Sequence, residues 1–159
     1  MAGSGFKKAV ADLGFMGSYE VNLNIKSYRF VMPAEFRVFF DNQLIITRGF
    51  EASLIIVTPE KWKNLISPLR KNGLFSQTNR ELLRYLIGNS FLVNIDNQGR
   101  VVIPNQLRLK QFSVSSRLFL VGMLDYIELW PSTTWSRKQK VLGKQASNLT
   151  KMLVDNGNE

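Results

Sequence analysis

Residues 93–108 have the sequence VNIDNQGRVVIPNQLR, and residues 21–37 have the related sequence VNLNIKSYRFVMPAEFR. Each segment contains an alternating apolar run, a polar turn, an arginine, a second apolar run and a proline. Three pairs of residues repeat at a separation of 71 positions: Arg29 with Arg100, Pro33 with Pro104, and Arg37 with Arg108. The chain therefore carries one pattern twice. A repeat of this length is too long for a solenoid unit but long enough for a small subdomain.

Each copy has the pattern of four short strands, because apolar residues alternate or β-branched residues cluster between polar turns. A short helical turn is expected after each proline, and a longer helix is expected to begin just before Trp62 and just before Trp135. The copies are too short to form separate cores of any size. We therefore predict an α+β fold, mainly β, in which strands of both copies close one shared barrel with pseudo-two-fold symmetry and short flanking helices.

The segment between the copies has the pattern of an amphipathic helix. Thr78 and Glu81 have the spacing of a capping box at its start, and Gly88 with Asn89 indicates its end. After Trp135 the tail is only weakly periodic and gives little indication of a helix, and residues 155–159 are expected to fray. The predicted organisation has five parts: a flexible N-terminal extension (1–15), the first copy (16–62), a helical connector (63–88), the second copy (89–135) and a basic C-terminal tail (136–159).

Composition excludes several classes of protein. The chain has 159 residues and neither cysteine nor histidine, which excludes disulfides, thiolate metal sites and the Ser-His-Asp arrangement. We therefore expect no catalytic residues, no metal, no cofactor and no small-molecule substrate. Glu51 and Glu128 occupy matching strand positions, but with no accompanying chemistry they are better interpreted as salt bridges between subunits.

The formal net charge of +9 favours a polyanionic partner. Most of the surplus lies in the connector and the tail, so charge alone does not locate a binding surface, and a solvated helix face with a soluble tail explains it equally well. A duplicated chain suits a repetitive partner, and double-stranded DNA is the commonest of these. No apolar run approaches the ~20 residues that span a bilayer, and no secretory signal is evident, so we expect a cytoplasmic protein without a membrane partner.

The duplicated pattern resembles the MraZ family of bacterial transcriptional regulators, which have an AbrB-like swapped-hairpin fold. In the second copy the resemblance covers residues 94–108, 120–122 and 127–130, and in the first copy residues 16–19, 33–37 and 48–51. It implies a two-lobed β-barrel core and a closed ring of subunits. It also implies binding to direct DNA repeats in the promoter of the division and cell-wall gene cluster, and hence a nucleoid-associated protein.

The family's signature is an aspartate, three residues and an arginine in each copy. The second copy keeps it as Asp96 to Arg100, with Gly99 before the arginine. The first copy has Asn24 in place of the aspartate, lacks the glycine and has one additional residue before its proline. Arg29 matches the signature arginine when counted back from Pro33. This departure makes the geometry of the first loop, and its DNA contact, an open question.

The resemblance makes three residues candidates for DNA contact: Lys26, Arg29 and Arg100. Asn24, Asp96 and Gly99 are expected to shape the two turns.

The alternative for Arg100 is a structural brace, because an aspartate that caps its own turn can also pair with the arginine. Lys26 and Arg29 have no such acidic neighbour in the neutral first turn. The tryptophans Trp62, Trp130 and Trp135 are expected in the core, and Arg37 and Arg108 on a helix surface or between subunits. The rival function is an oligomeric protein-interaction module that has lost DNA binding.

Overall fold

The computed structural model describes residue 5 and residues 12–114 and 116–157. Within them each copy forms four strands, as its alternating pattern predicts. In the first copy these are β1 (Ser18–Asn22), β2 (Arg29–Val31), β3 (Gln43–Arg48) and β4 (Leu54–Val57). In the second copy they are β5 (Phe91–Asn94), β6 (Arg100–Val102), β7 (Arg117–Gly122) and β8 (Ile127–Pro131).

The helices flank the strands. They are α1 (Ala34–Arg37), α2 (Pro59–Lys71), α3 (Gln77–Leu86), α4 (Lys110–Val114) and α5 (Ser132–Gly157). The short turns expected after the prolines are confirmed, since α1 follows Pro33 and a single 3-10 turn, Asn105–Leu107, follows Pro104. No helix in the described ranges is both long and apolar enough to cross a membrane.

The two copies exchange strands. Six strands form one antiparallel sheet in the order β1-β7-β8-β4-β3-β5, and β2 pairs with β6 in a separate two-stranded ribbon. The edge strand β1 of the first copy thus pairs with β7 of the second, and β5 of the second pairs with β3 of the first. When each strand is replaced by its counterpart in the other copy (β1 by β5, β3 by β7, β4 by β8, and the reverse), the same order results, read from the other edge of the sheet. The strand arrangement therefore has pseudo-two-fold symmetry.

The symmetry axis passes through two pairs of facing residues. Phe30 faces Val101 in the ribbon, and Ile55 faces Glu128 between β4 and β8. In both pairs a residue faces its own counterpart in the other copy. The ribbon is therefore centred on the axis, and it brings the two signature segments side by side.

The predicted closed barrel is not confirmed. The sheet is open, because β1 and β5 each pair on one side only within the described ranges. The physical reason is that β2 and β6 pair with each other and so leave the main sheet. The assignment to a swapped-hairpin barrel stays a prediction.

One core lies between the sheet and the ribbon. It takes side chains from both copies, including Phe30, Phe36, Val101 and Leu107. Phe15 also lies in it, fully buried, and its backbone exchanges two hydrogen bonds with Leu124 (2.8 and 2.9 Å). Sequence analysis assigned Phe15 to the flexible extension, but its ring is an ordered core side chain. Residues 1–4 and 6–11 of that extension lie outside the described residues.

Two expectations about helix ends are wrong. Helix α3 begins at Gln77, and its cap is Ser76, whose hydroxyl accepts a hydrogen bond from the Asn79 backbone N–H (3.3 Å). Thr78 therefore lies inside the first turn and cannot form the predicted capping box. The tail is a helix of 26 residues, Ser132–Gly157, so residues 155–157 are helical where the sequence predicted fraying. Trp135 anchors the first turn of this helix in the core, and no proline interrupts it. Residues 158–159 lie outside the described range.

Candidate nucleic-acid interface

The outward face of the β2–β6 ribbon carries both signature arginines. Side chains alternate across a strand, so Phe30 and Val101 point into the core while their neighbours point to solvent. On this face Arg29 lies opposite Val102, and Arg100 lies opposite Val31. The two arginines are diagonal neighbours across the axis, and each has a partly exposed valine beside it. We call the four side chains of Arg29, Val31, Arg100 and Val102 the ribbon face.

The second-copy turn is organised by one carboxylate. Oδ1 of Asp96 accepts hydrogen bonds from the backbone N–H groups of Gln98 and Arg100 (2.9 Å each), and Oδ2 accepts one from Arg100 Nε (2.5 Å). Hydrogen bonds from the Arg100 backbone and side chain lower the Asp96 pKa from 3.8 to about 2. The predicted brace is present, and it holds one edge of the Arg100 guanidinium while the side chain stays partly exposed.

The first-copy turn keeps this organisation with a neutral side chain. Oδ1 of Asn24 accepts hydrogen bonds from the backbone N–H groups of Lys26 (3.0 Å) and Ser27 (3.2 Å). The Asn24 N–H donates to the Arg29 carbonyl (2.9 Å) and closes the turn around the additional residue. The amide thus serves as the turn-forming acceptor, but it offers no charge to Arg29. Lys26 and Arg29 are exposed and make no side-chain hydrogen bond or ion pair within the described part of the chain.

Tyr28 occupies the place of the missing glycine. Its φ is +52°, in the left-handed region, and Gly99 in the other copy has a φ of +79°. The Tyr28 carbonyl accepts a hydrogen bond from Ile103 N–H (2.9 Å), and the Gly99 carbonyl accepts the equivalent bond from Met32 N–H (2.8 Å). The backbone therefore leaves both turns through a left-handed residue whose carbonyl accepts an equivalent hydrogen bond from the opposite copy. The additional residue changes only the tip of the first.

Two further arginines each cover the turn of the opposite copy. The guanidinium of Arg37 packs against Gly99 and donates to the carbonyl of Asn97 (2.8 Å). Its counterpart Arg108 lies over the ring of Tyr28, with 4.2 Å between the guanidinium carbon and the ring centroid. Arg37 lies at the end of α1, as expected for a helix surface, and both arginines also have a role within the chain. Their place between subunits stays a prediction. The sequence analysis did not predict this role within the chain, although the separation of 71 positions between Arg37 and Arg108 indicated that the two arginines are equivalent.

A shallow groove joins the two halves of the site. Arg29 and Arg100 both line it, together with Asn24, Ser27 and Val31. Lys26 lies in the tight turn that Asn24 organises, next to this groove. The structure thus brings the three predicted contact residues to one side of the molecule. The two outward valines were not predicted as part of this surface, although alternation along β2 and β6 could have identified them.

The remaining acidic and aromatic candidates lie elsewhere. Glu51 lies in the bend between β3 and β4, and the counterpart of Glu128 is Ile55, so the two carboxylates do not occupy matching strand positions. Glu51 pairs with Lys138 of its own chain, and Glu128 accepts a hydrogen bond from Trp130 Nε1 (3.2 Å). Salt bridges between subunits stay a prediction. Burial raises the pKa of Glu128. Trp130 is buried as expected, as is Trp135, whereas Trp62 is only half-buried. The described residues contain no cluster of metal-ligating side chains.

Comparison with known proteins agrees with the internal repeat. The model of the family described as "MraZ protein, putative antitoxin-like" matches residues 15–85 and again residues 86–155, one match for each copy. Transcriptional regulator MraZ of Leuconostoc mesenteroides subsp. mesenteroides is 32% identical, over 89% of this chain and 97% of its own length. Transcriptional regulator MraZ of Pediococcus pentosaceus is 27% identical, over 90% of this chain and 99% of its own. Because the family model covers both copies and these relatives align over nearly their full lengths, the chain belongs to the MraZ family.

Proposed function

We propose that the protein is a sequence-specific DNA-binding transcriptional regulator that contacts DNA through the ribbon face and the Lys26 turn. The observation that carries this proposal is the meeting of Arg29 and Arg100 on one exposed two-stranded ribbon. The names of the two relatives support the regulatory role, and nothing about the site calls for an enzyme.

The chemistry of the ribbon face suits the DNA major groove, which admits a two-stranded β-ribbon. A planar guanidinium can donate two hydrogen bonds to guanine O6 and N7, and a valine methyl can contact the methyl group of thymine. Lys26 supplies a point charge to a backbone phosphate. The ribbon therefore offers both base contacts and a positioning contact.

The two arginines have unequal freedom in this proposal. Asp96 holds Nε of Arg100 and leaves its terminal nitrogens to donate, which fixes the side chain in one orientation. Arg29 makes no side-chain hydrogen bond or ion pair within the described residues and must be ordered by the DNA itself. In this proposal the Arg100 side chain is already oriented before it contacts a base, whereas the Arg29 side chain takes up its orientation on binding.

The resemblance to the family extends the proposal to assembly and target. The protein acts as a ring of subunits on direct repeats in the promoter of the division and cell-wall gene cluster, and it regulates by controlling polymerase access. Several weak contacts made at once would supply the affinity. The rival function, an interaction module without DNA binding, rested on the altered first turn. The preserved hydrogen bonds of that turn weaken the rival.

The test is binding of the purified protein to a promoter fragment that carries direct repeats. The double variant Lys26→Ala/Arg29→Ala should lose retardation of the fragment, and its salt dependence should fall by about one unit of slope for each phosphate contact removed. The matched control is Lys144→Ala/Lys151→Ala, which removes two exposed charges from α5. Equal binding by the two variants would contradict the site, and no binding by the unaltered protein at low salt would favour the interaction module.

A further inference from the structure

The half-buried guanidinium of Arg37 is joined to Arg100 by a continuous chain of contacts. Its Nη2 donates to the Asn97 carbonyl (2.8 Å) and, less closely, to the Asp96 carbonyl (3.4 Å). Asp96 in turn accepts hydrogen bonds from the Arg100 backbone N–H (2.9 Å) and from Arg100 Nε (2.5 Å). Gly99, which directly precedes Arg100, is buried against the same guanidinium. Arg37 therefore holds the backbone of the turn that presents Arg100.

Arg108 holds the turn of the first copy by different contacts. Its guanidinium carbon lies 4.2 Å from the ring centroid of Tyr28, and its Nε donates to the Ile103 carbonyl (3.1 Å). The Ile103 N–H donates to the Tyr28 carbonyl (2.9 Å), so the ring and the backbone of Tyr28 are both held by the opposite copy. Tyr28 directly precedes Arg29. Each signature arginine thus follows a residue that an arginine of the other copy covers.

The residue before each signature arginine decides where that arginine points. Gly99 and Tyr28 have left-handed backbone, with φ values of +79° and +52°, so the chain changes direction at each of them. A rotation of this backbone would turn the following side chain away from the ribbon face. The orientation of a signature arginine therefore depends on a side chain from the copy that does not carry it.

Arg37 and Arg108 use their guanidinium groups on carbonyl oxygens and a ring of their own chain. Lys26 and Arg29, by contrast, are exposed. We propose that Arg37 and Arg108 are positioning residues for DNA recognition and do not touch the DNA themselves. Arg37 acts through Arg100, and Arg108 acts through Arg29. The inference rests on the proposed function, because it concerns the orientation of the two arginines proposed to contact bases.

Binding to a promoter fragment that carries direct repeats tests the role of Arg37. Arg37→Ala should weaken binding about tenfold, a size typical of groups coupled by direct contact. Arg37→Lys should recover little of this loss, because an ammonium keeps the charge but lacks the planar fork that reaches two carbonyls. The salt dependence should keep its slope, since no phosphate contact is removed. Full recovery by Arg37→Lys, or a slope reduced by about one, would indicate a phosphate contact and overturn the proposal.

The matched control for Arg37→Ala is Arg80→Ala in α3. Arg80 has the same charge and also donates to a backbone carbonyl, that of Leu74 (2.7 Å), but it lies outside both turns. Its removal should leave the affinity for the fragment unchanged. An equal loss in the two variants would mean that net charge alone matters and would overturn the positioning role.

A double-mutant cycle shows which arginine Arg37 acts through, at a salt concentration at which each single variant still binds. In protein that already carries Arg100→Ala, adding Arg37→Ala should change the affinity by less than about twofold. In protein that carries Arg29→Ala, it should keep its full effect, and Arg108→Ala should show the reverse pattern. An equal effect of Arg37→Ala in both backgrounds would mean a direct contact or a general loss of stability, and either would overturn the proposal.

The hydrogen bond from Arg100 Nε to Asp96 provides a measurement without DNA. In the free protein Arg37→Ala should speed hydrogen exchange of the Arg100 Nε–H, followed by nuclear magnetic resonance, and Arg80→Ala should not. If the unaltered protein fails to bind the fragment at low salt, the proposed function fails, and this exchange still decides whether Arg37 orients Arg100. If the fragment is bound but Arg37→Ala leaves the exchange unchanged, the positioning role alone is overturned.

Discussion

At the scale of single residues, the two turns achieve one geometry with different side chains. Gly99 and Tyr28 both adopt left-handed backbone, and each is covered by an arginine from the opposite copy. A tyrosine in this conformation carries backbone strain, which its contact with Arg108 helps to offset. The glycine carries no such strain, but the space above it is filled by Arg37.

Gly99→Ala should therefore destabilise the protein by about 1–2 kcal/mol, because a side chain disfavours the left-handed region and its Cβ would lie 3.0 Å from Arg37 Nη1. The matched control is Gly143→Ala in α5, where a Cβ would meet nothing within 4 Å. That change should stabilise the helix by about 0.5–1 kcal/mol. Urea unfolding measures both, and a neutral Gly99→Ala would contradict the assigned role of the glycine.

The Asp96 carboxylate should make stability depend on acid pH. Its pKa in the folded protein is about 2, below the ordinary value of 3.8, so the folded state favours the ionised form. This contribution is present above about pH 4 and is lost as pH falls toward about 2. Asp96→Asn should therefore flatten the dependence of unfolding free energy on pH between these limits. Chemical denaturation from pH 2 to 5 tests this, and parallel curves for the two proteins would refute it.

At the scale of elements, the start of α3 can be tested directly. Ser76→Ala removes the acceptor for the Asn79 N–H and should cost about 1 kcal/mol. Thr78→Ala lies within the first turn of the helix and should change stability by much less. Comparison of the two melting temperatures decides between the observed cap and the one inferred from the Thr78–Glu81 spacing. The larger loss in Thr78→Ala would restore the capping box.

Elements with local signals could be predicted from the sequence. The eight strands follow from alternation between turns, and the turns after Pro33 and Pro104 follow from the fixed φ of proline. The cap of α3 was misplaced because Ser76 and Thr78 both have side chains that can cap a helix. Helix α5 gave a weak signal because its Trp135 end packs on the core, while Leu149 and Leu153 farther along the helix are exposed.

At the scale of the whole molecule, the exchange of strands makes the copies interdependent. Among the described residues, strands β1 and β5 each pair only with the opposite copy, and so do the two strands of the ribbon. Neither 1–86 nor 87–159 should therefore unfold cooperatively as an isolated monomer, whereas an equimolar mixture should regain a cooperative transition. Circular dichroism during thermal unfolding measures this. A monomeric half with a sharp transition would show that the copies are separate domains.

This exchange also limited what the sequence could predict about the site. The asymmetry between Asn24 and Asp96 was visible in the sequence, and so were the candidate contact residues. That Arg29 and Arg100 lie on one ribbon depends on a register between segments far apart in the chain, which no local pattern encodes. The cover that Arg37 and Arg108 provide depends on the same register.

The unequal turns give the ribbon a direction. A perfectly symmetric ribbon would bind a DNA segment equally well in either orientation. Several subunits bound along one duplex would then have no common orientation. Here Asp96 holds the arginine at one end of the ribbon, while the arginine at the other end has no acidic partner in its turn and lies near a lysine, so in the proposed DNA complex the two orientations would differ in energy. Subunits bound through such a ribbon would all point the same way along the duplex, which is the order that tandem rather than palindromic sites require.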